Sequence, residues 1–419
     1  MRVLGLLVAV AAFAADDSFV LRNVTIHPVT SASIPNGTLV VTDGKIAAFG
    51  ARVAAPKSAK VIDGKGQHVY PGLIDSASNI GMAEVSSVRE TSDLVELGDF
   101  NPQLRAVVAI NPSSDHIPVT RGNGITTSLI YPGGGIIGGQ AALVHLDGWT
   151  WEEMAIERNV TMQMRMPTLT TGTFSSTFGA GRRPFAETKR RYEERLKLLS
   201  DFFEQARAYQ RRKAAGGAGF VLDRRLDAML PILEGKASLM IFAPRERAVK
   251  DALAFGAKEN VKIVLAGVRE AGAAVKEIAE KRIPVILGET LELPLEEDSP
   301  YDSAFTLPAE LHKAGVTFAF GTFSVQFARN LPFQAANAVA FGLPYEEALR
   351  AVTINAAKIW GVDSRIGSIE AGKWADLILT DGDPLEARSQ VKQMWIQGRP
   401  VSLETRHTKL YDQFGKRPN

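Results

Sequence analysis

A series of short segments rich in apolar residues, at residues 69–74, 125–131, 238–242, 262–266, 284–287 and 317–320, is separated by stretches of helical periodicity such as 249–259 and 271–281. That alternation limits the fold more than any other feature. Short segments of this apolar content suit strands covered on both faces, and strands alternating with helices build βα units around a parallel sheet. Two further strands are expected within residues 141–166.

The chain ends have a different texture. From 19 to 62, alternating apolar runs are split by turn signals, among them Asp43-Gly44, and a similar pattern returns over 367–396, followed by the turn Gln397-Gly398. An Asp-Gly pair between such runs is a hairpin signal, so each end contributes a small β unit. One insertion, 184–213, places Tyr192, Leu196, Leu199, Phe203, Ala206 and Tyr209 at helical spacing, with Arg190, Arg191, Arg195, Arg207, Arg211 and Arg212 on other faces. This is the pattern of an amphipathic helix whose apolar stripe covers a core. The alternative is a basic lid or partner surface.

At 419 residues the chain can hold a barrel-sized domain and a smaller unit. Its 48 basic and 46 acidic residues nearly cancel, so no global field recruits nucleic acid or an anionic membrane. Arg2, the apolar run 3–13, the small residues of Ala12-Phe13-Ala14 and then Asp16-Asp17 read as a cleavable secretory signal over 1–14. The run is well short of the ~20 residues that span a bilayer, so the expectation is secretion, into a bacterial periplasm, without a stable membrane anchor. The absence of cysteine removes disulfides, thiolate metal ligands and a cysteine nucleophile from consideration.

Several phrases carry a family resemblance. Val69-Tyr70-Pro71-Gly72-Leu73-Ile74-Asp75-Ser76-Ala77-Ser78-Asn79 resembles the first barrel strand of the metal-dependent amidohydrolases, and Val61-Ile62-Asp63-Gly64-Lys65-Gly66 resembles the segment that enters it. Gly367-Ser368-Ile369-Glu370-Ala371-Gly372-Lys373-Trp374-Ala375-Asp376-Leu377 is similar to a phrase specific to that superfamily, and Asn330-Leu331-Pro332 and Thr353-Ile354-Asn355-Ala356-Ala357 match its C-terminal part. On these residues the chain is identified as a member of the amidohydrolase superfamily, related to imidazolonepropionases. The resemblance implies an α/β fold, a TIM (β/α)8 barrel over 67–363, with the reaction centre at its C-terminal mouth. It also implies a composite β-sandwich built from 15–66 and 364–403, and a tail over 404–419. The chemistry it implies is hydrolysis of amide or cyclic C–N bonds by one or two divalent metals, which lower the pKa of bound water from 15.7 to about 7.

The metal positions that the resemblance implies are occupied by other residues. The two histidines of the first strand fall at Ala77 and Asn79, the strand-five histidine at Phe242, the strand-six histidine at Ala266 or Gly267, and the strand-eight aspartate at Phe323. Two imidazoles at i and i+2 on a strand can aim at one ion; a methyl group and a neutral carboxamide cannot replace them. Of the six histidines, only His116 and His145 are expected to approach the mouth.

Other groups could serve a mouth of this kind. Glu84, Glu90, Asp93, Glu96 and Asp99 form an acidic segment after the first strand, either a solvated loop or a set of oxygen ligands for a divalent cation. Arg121 and Gln140, the latter closing the glycine-rich stretch 132–140, could grip a carboxylate, with Asn79 and Glu84 as further ligand-binding candidates. Glu84 and Glu289 are the candidate acid–base pair. The expected function is therefore a secreted, non-catalytic binding or partner subunit, a pseudoenzyme with no cofactor. It would take a small-molecule ligand or a catalytic amidohydrolase relative, and sit in a homo- or hetero-oligomer. The first alternative is an active hydrolase of non-peptide C–N bonds whose metal is held atypically by Glu84, Glu90, Asp93, His116 and His145. A second is a metal-free hydrolase with Glu84 or Glu289 as base.

Overall fold

The computed structural model describes residues 18–415, apart from 55, 57, 58, 86, 170–172, 177, 178, 183, 218 and 296–298. The expected secretory signal lies outside the described residues. The first half of the chain forms β1 (Phe19–Ile26), β2 (Ile34–Thr42), β3 (Lys45–Gly50), β4 (Lys60–Asp63), β5 (His68–Pro71), β6 (Leu73–Ser78), β7 (Ile125–Ile130), β8 (Ile137–His145) and β9 (Ala155–Arg165). The rest adds β10 (Thr173–Ser176), β11 (Gly179–Arg182), β12 (Ser238–Phe242), β13 (Ile263–Val268), β14 (Val285–Leu287), β15 (Phe318–Phe320), β16 (Leu377–Thr380), β17 (Val391–Ile396) and β18 (Arg399–Pro400). Among the described residues no helix is long and apolar enough to cross a membrane.

Two eight-stranded sheets organise the molecule. The central one runs β15-β14-β13-β12-β9-β8-β7-β6, and its edge strands approach each other so that it is nearly closed. Sequence periodicity leads to an all-parallel sheet, but the sheet is mixed: β8 runs antiparallel to both β7 and β9, while every other pairing is parallel. The cause is the connection. Only residues 131–136 lie between β7 and β8, too few for the crossover of a dozen or more that a parallel neighbour needs. The two strands expected within 141–166 are β8 and β9, and β8 begins earlier than expected.

The second sheet joins the chain ends in the order β18-β17-β16-β5-β1-β2-β3, with β4 also paired to β1. It folds over on itself: Lys45 bridges Trp374, and the Ile46 amide donates to the Lys373 carbonyl at 2.9 Å. Leu21, Ile26, Leu39, Ile46, Leu377 and Trp395 are buried inside that fold. The apolar run 69–74 is divided between the sheets, passing at Gly72 from β5 to β6, later than the boundary at 66 expected for the composite unit. A Cβ on Gly72 would lie 2.1 Å from the Thr126 hydroxyl oxygen, so only glycine permits the chain to turn there against β7.

The insertion forms one helix, Phe185–Ala215, that buries Leu199, Phe203, Ala206 and Tyr209 as its stripe requires. Arg191 and Arg195 pair with Glu187 and Asp99, and Arg207 with Glu259. The helix over 345–360 that the family resemblance implies breaks into Tyr345–Ala351 and Ile354–Ile359. The Val352 carbonyl accepts from the Ile74 amide of β6 at 2.8 Å and so leaves the helical ladder.

Candidate site at the barrel mouth

The parallel strands end together, and their C-terminal ends bring Ala77, Asn79, Tyr131, Arg165, Phe242, Gly267, Glu289 and Phe323 to one mouth. Asp75 stitches the first strand to the last. It is fully buried, and its carboxylate accepts from the Thr322 hydroxyl at 2.5 Å, the Thr322 amide at 3.0 Å and the Ala77 amide at 3.2 Å. Burial pushes its pKa up to about 7, against the pull of those hydrogen bonds. The Phe323 amide donates in turn to the Ala77 carbonyl at 2.8 Å, holding Phe323 at a φ of 50°, which a bulky residue seldom adopts.

The residues at the implied ligand positions pack on one another. Phe242 and Phe323 lie 5.4 Å apart edge to face, and Tyr131 stands 5.3 Å from the first and 6.1 Å from the second. A Cβ on Gly321 would lie 3.1 Å from the Ala77 methyl and 3.0 Å from the Phe323 ring. One on Gly267 would lie 3.4 Å from the Phe242 ring. The Asn79 amide donates to the Tyr131 carbonyl at 2.7 Å. Ring centroids 4.5–7 Å apart are ordinary aromatic packing, worth about 0.5–1.5 kcal/mol per pair beyond burial. This donor set of two phenyl rings, a methyl group, a glycine and an engaged carboxamide does not fit a divalent metal. Among the described residues no three His, Cys, Asp or Glu side chains are grouped so as to hold one.

Charge persists around the rings. The Arg165 guanidinium lies over the Phe242 ring at 4.9 Å from its centroid. Glu289 is half-buried, and desolvation, reinforced by the neighbouring Glu292 carboxylate, holds it above the usual carboxylate range despite Arg269. Tyr131 is buried and its phenol is pushed up by desolvation, with Arg165 opposing. Sequence reasoning placed Glu289 here but missed Asp75, Tyr131 and Arg165. The lone acid at the end of the apolar run 69–74 was the available signal for Asp75.

Other candidates lie elsewhere. His145 is not at the mouth: β8 runs backwards, so its last residue reaches the base of the sheet, where Nε2 meets the Asp376 carboxylate at 2.8 Å. Arg121 and Gln140 do not converge on a ligand. Arg121 lies at the foot of β7 and donates to Asp147 at 2.7 Å, whereas the Gln140 side-chain amide donates to the Pro102 carbonyl at 2.9 Å. His116 reaches Glu84 through that residue's backbone carbonyl, at 2.9 Å, and the Glu84 carboxylate accepts from Asn111 at 3.2 Å. Glu90 and Asp93 are exposed on the outer loop, so the five residues of the atypical metal reading are not assembled.

Comparison with known proteins agrees with this architecture. An amidohydrolase-family model matches residues 243–401. The chain is 26% identical over 407 residues to the amidohydrolase tasK of Hapsidospora irregularis, a match covering 90% of this chain and 41% of that protein. It is 54% identical over 50 residues to the imidazolonepropionase of Sphingopyxis alaskensis, 12% of each chain. The crystal structure of an amidohydrolase from Thermotoga maritima superposes with a TM-score of 0.80 at 26% identity, covering 92% of this chain and 99% of that one. The chain is thus similar to amidohydrolases in sequence over residues 243–401 and in fold over most of its length.

Proposed function

We propose that this protein is an amidohydrolase-fold pseudoenzyme: a secreted binding or partner subunit that works without the superfamily's metal hydroxide. One observation carries the reading, namely the packing of Phe242, Phe323 and Tyr131 into a single ring cluster where an ion and its water would sit. Hydroxide generation needs a cation held by nitrogen, sulfur or carboxylate donors, and this cluster provides apolar surface instead. The carboxylate of Asp75 has both oxygens engaged by Thr322 and Ala77. The Asp75–Thr322 stitch and the Phe323–Ala77 hydrogen bond also support reading the central sheet as a closed TIM-type barrel. The apolar run after Arg2 supports export.

A second reading is favoured by Glu289 alone: a half-buried carboxyl with a raised pKa suits a general base that needs no metal. Turnover separates the two. Purified protein supplied with zinc, iron(II) or manganese is expected to hydrolyse neither N-acyl amino acids nor cyclic amides above the buffer rate. Turnover abolished by chelation would overturn the proposal. Turnover that survives chelation but is lost in Glu289→Gln would establish the second reading.

A further inference from the structure

Beside the mouth, a cavity of about 390 Å³ opens between the loop after β6, the helix His116–Arg121, the segment after β15 and the start of the C-terminal helix Arg406–Phe414. Its walls differ in kind. Val85, Val119 and Phe327 supply apolar surface, with Val85 and Phe327 both about half exposed. Arg329 and Arg406 supply positive charge. Arg406 already leans on Asp115, at 3.9 Å. Arg329 is different: it is only partly exposed, and among the described residues its guanidinium makes no ion pair and no side-chain hydrogen bond. Glu84, on the same wall, is held by the Asn111 amide.

We propose that this cavity binds a small carboxylate bearing an apolar substituent, with Arg329 as the anchor for the carboxylate and Phe327 with Val85 covering the substituent. A guanidinium that keeps its donors free beside apolar walls matches a carboxylate in both charge and fork geometry, and a charge-assisted pair is stronger where neighbouring surface displaces water. The cavity holds a ligand of amino-acid size. The assignment stands whether or not the mouth is catalytic, because it uses none of the mouth residues.

N-acetyl-L-leucine is the probe, and N-acetyl-L-leucinamide, which lacks the charge, is its comparator. Titration calorimetry on the full chain is expected to show saturable binding of the acid and at least about tenfold weaker binding of the amide. Arg329→Gln should weaken the acid at least about tenfold, and Arg329→Lys, which keeps the charge, should weaken it less. Phe242→Ala at the mouth should leave it unchanged. Unaltered far-UV circular dichroism shows that the variants fold. Failure of the wild type to bind the acid, equal binding of the amide, or wild-type affinity in Arg329→Gln would each overturn the assignment. Loss of binding in Phe242→Ala with Arg329→Gln unaffected would move the ligand to the mouth, and overturns it as well.

Discussion

Alanine at position 75 is expected to destabilise the fold by about 3–5 kcal/mol at neutral pH, read from urea unfolding, because it strands three buried donors at once. The Thr322 hydroxyl, the Thr322 amide and the Ala77 amide all lose their acceptor, and with it the tie between β6 and the residues after β15. Asn at the same place keeps an acceptor and should cost much less. It should also change the pH dependence. Asp75 carries a folded pKa of about 7 against an ordinary 3.8, so the folded chain holds a proton that the unfolded chain has released. Its stabilising contribution is complete below about pH 4 and is lost as pH rises through 7, amounting to roughly 4 kcal/mol across that window. His27 acts in the opposite sense. Its pKa is lowered to about 4 by burial and by His68, so its contribution is present above pH 6.5 and is lost as pH falls towards 4. The difference between wild type and Asp75→Asn, measured from pH 4 to 8, removes the His27 contribution common to both. It should grow in favour of the variant as pH rises. Parallel curves would contradict a buried, proton-holding Asp75.

His145→Ala is expected to cost about 3 kcal/mol, because it leaves the Asp376 carboxylate buried without its partner. Both side chains are almost wholly enclosed where the central sheet meets the terminal one. Asp376 also accepts from the Gln397 amide, at 2.7 Å, so the pair fastens β8 to the turn before β18. Thermal unfolding followed by circular dichroism reads the loss. If His145 instead served an ion at the mouth, its removal would change metal affinity and leave stability nearly untouched, and that pattern would refute its role as a fastener.

Much of this molecule was legible from residue patterns, for identifiable reasons. Apolar runs of strand length marked β12, β13, β14 and β15, because buried parallel strands lack polar alternation and are easily seen. The direction of β8 was not legible: periodicity carries no sign, and the short link after Tyr131 decides it. That one reversal removed His145 from the mouth. Pairings such as Arg121 with Asp147 join residues that are distant in the chain, and no spacing rule anticipates them. The positions Ala77, Phe242, Gly267 and Phe323 could be singled out one by one, yet their mutual packing is a property of the folded sheet. The role of Asp75 was not legible either, since an acid within a strand gains its meaning from a partner 247 residues away.

Metal retention tests the central claim most directly. The full chain is loaded with excess zinc, iron(II) or manganese, dialysed, and analysed by inductively coupled plasma mass spectrometry. A mouth closed by aromatic rings is expected to keep less than about 0.1 ion per chain. One or two ions firmly retained per chain would contradict the account.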